Sequence, residues 1–400
     1  MPRRTLKLAA VIAGLVLAGG VAGTGAQQSG KVHVYELGRT LSALQSRIIN
    51  GDERAHASQR SLLDYMATVI RTAPDSDWQD ARNVRVVIAF VLGGGDPRVV
   101  RPIVDKLVGQ DATTRVAQAS VLYAEGKLRE ARAIFEKIDA RTLETSLAGH
   151  VALIKGVLFD GVNRVAALKQ LDDARLLSPG TIVEEAALRR AIPLVGRSGD
   201  FDKFSYLMSR YLRRFGQSIY APGLAPQLAS VVTSPGFMNS PERYAELDRV
   251  ISLARPELAH EIYLAVAQKG VGEANTELVR FAAERAEKLA KRDSVDGERA
   301  RLYGAAVMVV SDEMDEGLER LMSIRKSRLG RTDVEIVDAA FRVATAVRQP
   351  PGEVNANAGM NVPDVDESKL EAFAANQENQ SVARASKTLE MIDAMLQEID

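Results

Sequence analysis

The stretch that decides the fold is VLYAEGKLREARAIFEKID, Val121 to Asp139. Apolar residues recur three or four positions apart on both sides of Gly126, the spacing of two amphipathic helices joined by a tight turn. Gly126 makes the turn, Ala131 is small enough for the helices to approach closely, and Leu128, Phe135 and Ile138 supply apolar surface. The scheme returns in VLFDGVNRVAALKQLDDARLLSPG, Val157 to Gly180, with Gly161, Ala167, Leu171 and Ala174, and Pro179 after the second helix. A weaker copy, LVGRSGDFDKFSYLMSRYLRRFG from Leu194 to Gly216, keeps Gly199, Phe201, Phe204, Met208 and Tyr211. The anchors Ala131, Ala167 and Phe204 lie 36 and 37 residues apart, close to the ~34 of tetratricopeptide repeats.

Working outward, YELGRTLSALQSRI places Leu37, Leu41, Leu44 and Ile48 on one helical face. The apolar run NVRVVIAFVL, Asn83 to Leu92, reads as a buried helix because its neighbours are helical. Two later segments, Ala259 to Ala290 and Arg299 to Ser327, keep the two-helix format without the fixed glycine. The expected fold is therefore all-α: a tetratricopeptide-like solenoid of helical hairpins over residues 33–347, each hairpin burying its face on the next. Aromatics are only 5% of the chain, so Ala, Leu and Val carry the packing.

The ends read differently. Arg3, Arg4 and Lys7 precede the apolar run Leu8 to Ala22, and Thr24-Gly25-Ala26 offers small residues for cleavage, so residues 1–26 are expected to be a secretory signal peptide. That implies a soluble mature protein outside the cytoplasmic membrane, in a periplasm. Residues 348–368, rich in proline and asparagine, read as a flexible linker. Residues 369–400 read as an amphipathic helix whose Val382, Ala385, Leu389, Ile392, Leu396 and Ile399 form an a/d seam, suited either to docking on the solenoid or to pairing between chains.

Chemistry is hard to find. The absence of cysteine excludes disulfides, thiolate metal sites and thiol nucleophiles. The 52 basic and 52 acidic residues balance, and without the leader 49 face 52, a net charge of about −3 that disfavours nonspecific nucleic-acid binding. No histidine has another within helical metal-ligand spacing, and His260 in HEIYL is expected on a hairpin surface. GGGDPR, Gly93 to Arg98, lacks the Lys-Ser/Thr end of a P-loop, and GVGEAN, Gly270 to Asn275, lacks the third glycine of a dinucleotide fingerprint. The first is expected to be a helix junction, with glycines ending one helix, Asp96 as N-cap and Pro97 opening the next. Neighbouring carboxylates such as Glu184 and Glu185 or Asp172 and Asp173 point ~100° apart on a helix and do not form an acid-base pair. The basic aromatic stretch SYLMSRYLRRFGQSIYA, Ser205 to Ala221, is expected to be a solvated flank or a docking face.

Several stretches together resemble the periplasmic MotC family of alphaproteobacterial motility proteins. They are Tyr35 to Leu63, Asp80 to Pro97, Leu153 to Leu158 (LIKGVL), Asp173 to Leu194 (DARLLSPGTIVEEAALRRAIPL) and Arg210 to Ala221 (RYLRRFGQSIYA). The resemblance implies a non-enzymatic role in flagellar motor rotation, through association with the periplasmic region of the stator subunit MotB and an influence on energy coupling. It brings no catalytic residues, cofactor or metal. A general periplasmic repeat scaffold for envelope assembly is the alternative expectation.

Overall fold

A computed structural model describes residues 33–107, 109 and 111–348. The expected signal peptide at residues 1–26, the C-terminal helix at residues 369–400 with its six seam residues, and all of the linker but Arg348 lie outside the described residues. The chain divides into two units, Met1–Phe341 and Arg342–Asp400. Every described element is helical.

In the first unit the helices run in hairpins. The first two are α1 (Val34–Ile49) with α2 (Glu53–Thr72), and α3 (Ala81–Leu92) with α4 (Pro97–Lys106). The hairpin read from the opening stretch is α5 (Ala112–Ala124) with α6 (Leu128–Phe135), followed by α7 (Thr145–Phe159) with α8 (Arg164–Leu177) and α9 (Ile182–Gly196) with α10 (Phe201–Phe215). Then come α11 (Ala225–Val232) with α12 (Pro241–Ile251), α13 (Pro256–Gly272) with α14 (Thr276–Leu289), α15 (Val295–Met308) with α16 (Met314–Met322), and α17 (Arg331–Arg348), whose last turns belong to the second unit. First helices pack on first helices of neighbouring hairpins at α1–α3, α3–α5, α7–α9, α9–α11, α11–α13 and α13–α15, and second helices such as α4, α6, α8 and α14 also meet the hairpin that follows. This is the solenoid arrangement the 36-residue period predicts.

Local sequence sets the boundaries. Asp52, Asp80, Asp96, Asp111, Asn163, Asp200 and Asn275 each cap a helix by accepting a backbone N–H from its first turn. The GGGDPR junction is as read: Gly93 ends α3, Asp96 accepts from the Arg98 N–H at 2.9 Å, and Pro97 opens α4. GVGEAN is likewise a junction, between α13 and α14.

The predicted turn glycines share one backbone conformation. Gly126, Gly161 and Gly199 have φ of +76°, +80° and +78°, and a Cβ at any of them would meet nothing within 4 Å. The dihedral, not space, therefore selects glycine. Two further turns continue the pattern: Gly236 at +74° joins α11 to α12, and Ala274 at +53° joins α13 to α14. The α11–α12 hairpin is invisible to the repeat reading because α11 has only 8 residues and its turn is long. The "lost" glycine of the α13–α14 hairpin is in fact a left-handed turn kept by an alanine.

The anchors Ala131, Ala167 and Phe204 are buried, as are Phe135, Leu171 and Met208. Leu128 departs from the expectation. It opens α6 on the solvent side and is 52% exposed, so it contributes little to closing the hairpin. Close approach is enforced in α7 instead, where a Cβ on Gly156 would lie 2.7 Å from Leu171 Cδ2. The next join is aromatic: Phe204 of α10 meets Phe237 of the α11–α12 turn edge-on at 5.2 Å.

Replacing Ala274 by glycine is expected to stabilise the protein by about 1 kcal/mol, and Gly126→Ala to destabilise it by about as much. Urea midpoints of the two variants check both signs.

Candidate docking surfaces

The charges that balance in the sequence are largely spent on one another, some within a helix or hairpin and others between hairpins. Glu184 and Glu185, on α9, are both fully buried. Arg210 of α10 donates to Glu184 Oε1 at 3.0 and 2.7 Å, the Gly180 N–H donates to Oε2 at 2.6 Å, and Arg214 stands 3.4 Å away. Tyr211 donates to Glu185 Oε1 at 2.8 Å and Arg189 to the same oxygen at 3.1 Å, while Glu185 Oε2 is buried without a partner. The two carboxylates do diverge, as helix geometry requires. The basic aromatic stretch corrects its expectation: Arg210, Tyr211 and Phe215 turn inward to the α9 carboxylates and the core, and Tyr206 and Arg213 remain outside.

The same pattern of tyrosine, carboxylate and arginine recurs down the array. Asp248 of α12 accepts from Tyr263 of α13 and from Arg285 of α14, both at 2.5 Å. Asp333 of α17 accepts from Tyr303 of α15 at 2.5 Å and from Arg299 at 3.0 Å. Burial and the adjoining carboxylate push all three phenols well above the usual tyrosine range, which keeps them protonated donors. Other pairs also span about one repeat: Arg141 with Asp173, Lys203 with Asp172, Arg280 with Glu313. Glu298 of α15, 1% exposed at its side chain, accepts from the Arg325 N–H at 2.8 Å and from the Arg325 and Arg301 guanidiniums at 3.0 Å. Burial works to raise its pKa, but these donors outweigh it and hold Glu298 below the usual carboxylate range.

Among the described residues, no set of three or more His, Asp or Glu side chains could hold a metal ion. His260 is not the surface residue expected; it is half-buried in α13, with Nε2 buried and unpartnered. Burial lowers the pKa of both His260 and His150.

Three surfaces remain. The row of first helices bends far enough for α1 to touch both α3 and α9. The Ile219 N–H donates to the Ile48 carbonyl at 3.3 Å, and His56 meets Tyr220 edge-on at 5.7 Å. The N-terminal hairpin thus occupies part of the face that the first helices would otherwise offer. On the second helices, a polar cleft of about 380 Å³ between α10 and α12 is lined by Ser205, Tyr206, Ser209, Arg213, Glu246 and Arg249. Another of about 390 Å³ lies between α14 and the α15–α16 turn, around Arg280, Phe281 and Val310. The six residues of the expected helix-pairing seam, Val382, Ala385, Leu389, Ile392, Leu396 and Ile399, lie outside the described residues. Among the described residues, no helix is long and apolar enough to cross a membrane.

Hairpins stacked at a steady period and tied by ion pairs one repeat apart define a helical-repeat protein. The chain belongs to the MotC family: the family described as Chemotaxis protein MotC matches residues 1–400. The Chemotaxis protein MotC of Rhizobium meliloti (strain 1021) is 31% identical over 327 residues, covering 81% of this chain and 74% of that protein. In the crystal structure of yeast Tom70, the likeness has a TM-score of 0.37 at 15% identity, over 82% of this chain and 67% of that one. A circular tandem repeat protein gives 0.18 at 14% identity, over 79% of this chain and 77% of that one. The fold rests on the helices themselves rather than on these two likenesses.

Glu298→Gln is expected to cost roughly 2 to 3 kcal/mol near neutral pH, because it strips a buried carboxylate from two arginines. A carboxylate held below its unfolded pKa contributes stability above that pKa and loses it as pH falls through the folded value. The gap between wild type and variant should therefore close in acid, as urea unfolding near pH 7 and about pH 3 would show.

Proposed function

We propose that this chain is a non-enzymatic periplasmic component of flagellar rotation. It binds the periplasmic region of the stator subunit MotB and thereby influences how ion flow is coupled to torque. Membership of the MotC family over the whole chain carries the reading. The fold supports it, since a stack of hairpins offers long surfaces to a protein partner without any reacting group. The basic, apolar leader read from residues 1–26 supports a place outside the cytoplasmic membrane. The role asked of the molecule is recognition, and its second helices carry two open clefts, one lined by polar side chains and one around Phe281 and Val310.

Deleting the gene is expected to leave cells with intact flagella that do not turn, and the purified full-length protein should retain the periplasmic domain of MotB in a pull-down. Normal swimming of the deletion strain would overturn the motility role. Paralysed cells whose protein fails to retain MotB would instead place it as an envelope scaffold acting on rotation by another route.

A further inference from the structure

Hairpins that follow one another in the chain are tied by charged or polar contacts. Arg101 pairs with Glu125, Arg141 with Asp173, Lys203 with Asp172, and Asp248 with Arg285. The first hairpin joins the second in the same manner: the Tyr35 N–H donates to Asn83 Oδ1 at 2.9 Å, and the Arg82 guanidinium lies 4.4 Å over the Tyr35 ring. One further join skips the hairpins between. The tip of the α1–α2 hairpin, Ile48 to Gly51, reaches Gln217 to Tyr220 beyond α10, and α1 touches α9. Here the Ile219 N–H donates to the Ile48 carbonyl at 3.3 Å, and His56 of α2 meets Tyr220 edge-on at 5.7 Å. Gly51, with φ of +89°, sits so near Gln217 that a Cβ would lie 2.6 Å from its carbonyl oxygen. Among the described residues, no ion pair or side-chain hydrogen bond joins α1 or α2 to α9, α10 or the segment between α10 and α11.

A join held by one backbone hydrogen bond and ring and apolar packing opens at a free energy below that of global unfolding. In a stack of hairpins, small rotations at successive joins add along the array, so the contact between the first hairpin and the fifth feels their sum. The closed form also carries a cost. Arg189 of α9 stands 5.3 Å from the centre of the Tyr220 ring and donates to Glu185 Oε1, while Glu185 Oε2 is buried with no partner. Burial and the nearby Glu185 push the Tyr220 phenol up, a sign that the two groups share a water-poor setting. Water would satisfy the lone Oε2 once Tyr220 moved away, so release recovers part of what closure costs. We propose that the tip of the α1–α2 hairpin is a strap, which clasps Gln217 to Tyr220 in the closed array and lets go as a unit, with every hairpin still folded, to uncover the face of α9 beneath it. Closed, the array keeps its own first hairpin on α9. Open, it offers that face, with Ile48 and Ile49 of the tip, to another molecule. Both isoleucines are buried in the closed form. The inference rests on the fold alone and holds whichever partner the chain binds.

The full chain has no cysteine of its own, so Ala57→Cys on α2 and Ser230→Cys on α11, both exposed, take one nitroxide label each. Pulsed electron double resonance then reads the distance across the strap. Gly51→Ala drives a Cβ into the Gln217 carbonyl. Tyr220→Ala removes the ring that His56 meets and leaves the α1–α2 turn unstrained. Each is expected to broaden the distribution and lengthen it by ~5 Å, half a helix diameter, with the helical circular dichroism unchanged. Gly161→Ala is the control: its φ of +80° strains an alanine as much, but a Cβ there meets nothing within 4 Å, and the distance should stay as in the labelled parent. Should Gly51→Ala lose its helix, Tyr220→Ala decides alone. An unchanged distance in a folded strap variant, an equal lengthening in Gly161→Ala, or a loss of helix in step with the lengthening in Tyr220→Ala would each overturn the proposal.

Discussion

A helical hairpin of some 30 residues exposes an apolar face that it cannot bury by itself, so nothing in this array is stable except against its neighbours. That constraint explains where the molecule puts its scarce features. Small residues stand where helices must approach, as at Gly156 beside Leu171. Left-handed residues stand where the chain must reverse, at Gly126, Gly161, Gly199, Gly236 and Ala274. Some charges, which in a compact domain would face water, are drawn into pairs that join one hairpin to the next.

The pairing also gives the array direction and register. Apolar packing of Ala, Leu and Val is tolerant of small slips, and an alanine-rich interface alone would fix the stacking loosely. A carboxylate at least partly buried that must meet both a tyrosine and an arginine from the neighbouring hairpin tolerates no such slip. Asp248 with Tyr263 and Arg285, and Asp333 with Tyr303 and Arg299, supply that discrimination at two levels. The N-terminal hairpin, reaching from α3 to α9, narrows the surface left to a partner.

Local signals in the sequence carried most of the architecture. Helical periodicity, N-cap aspartates and turn glycines act within a few residues of themselves, which is why the hairpins from Ala112 to Phe215 and the Asp96 junction were readable without coordinates. The α11–α12 hairpin escaped because its first helix is too short to show a period, and Leu128 was misplaced because one residue at a helix start can face either way. The ion pairs were beyond reach for a different reason. Their partners lie some 24 to 37 residues apart and meet only when separate helices pack, within a hairpin or between hairpins, so SYLMSRYLRRF reads as a basic surface although its Arg210 and Tyr211 face buried glutamates. The contact of Asp293 with Arg325 has the same character, since it joins two segments about 30 residues apart. Family membership, by contrast, followed from short stretches in a fixed order, and the match extends along the whole chain.

The central claim is that buried charge pairs couple adjacent hairpins energetically rather than decorate them. A double-mutant cycle on Asp333 of α17 and Arg299 of α15, with Asp333→Asn, Arg299→Met and the combined variant compared by urea unfolding, measures that coupling directly. The account predicts an interaction energy of about 1 to 3 kcal/mol between the two positions. Effects that simply add, to within about 0.5 kcal/mol, would contradict it.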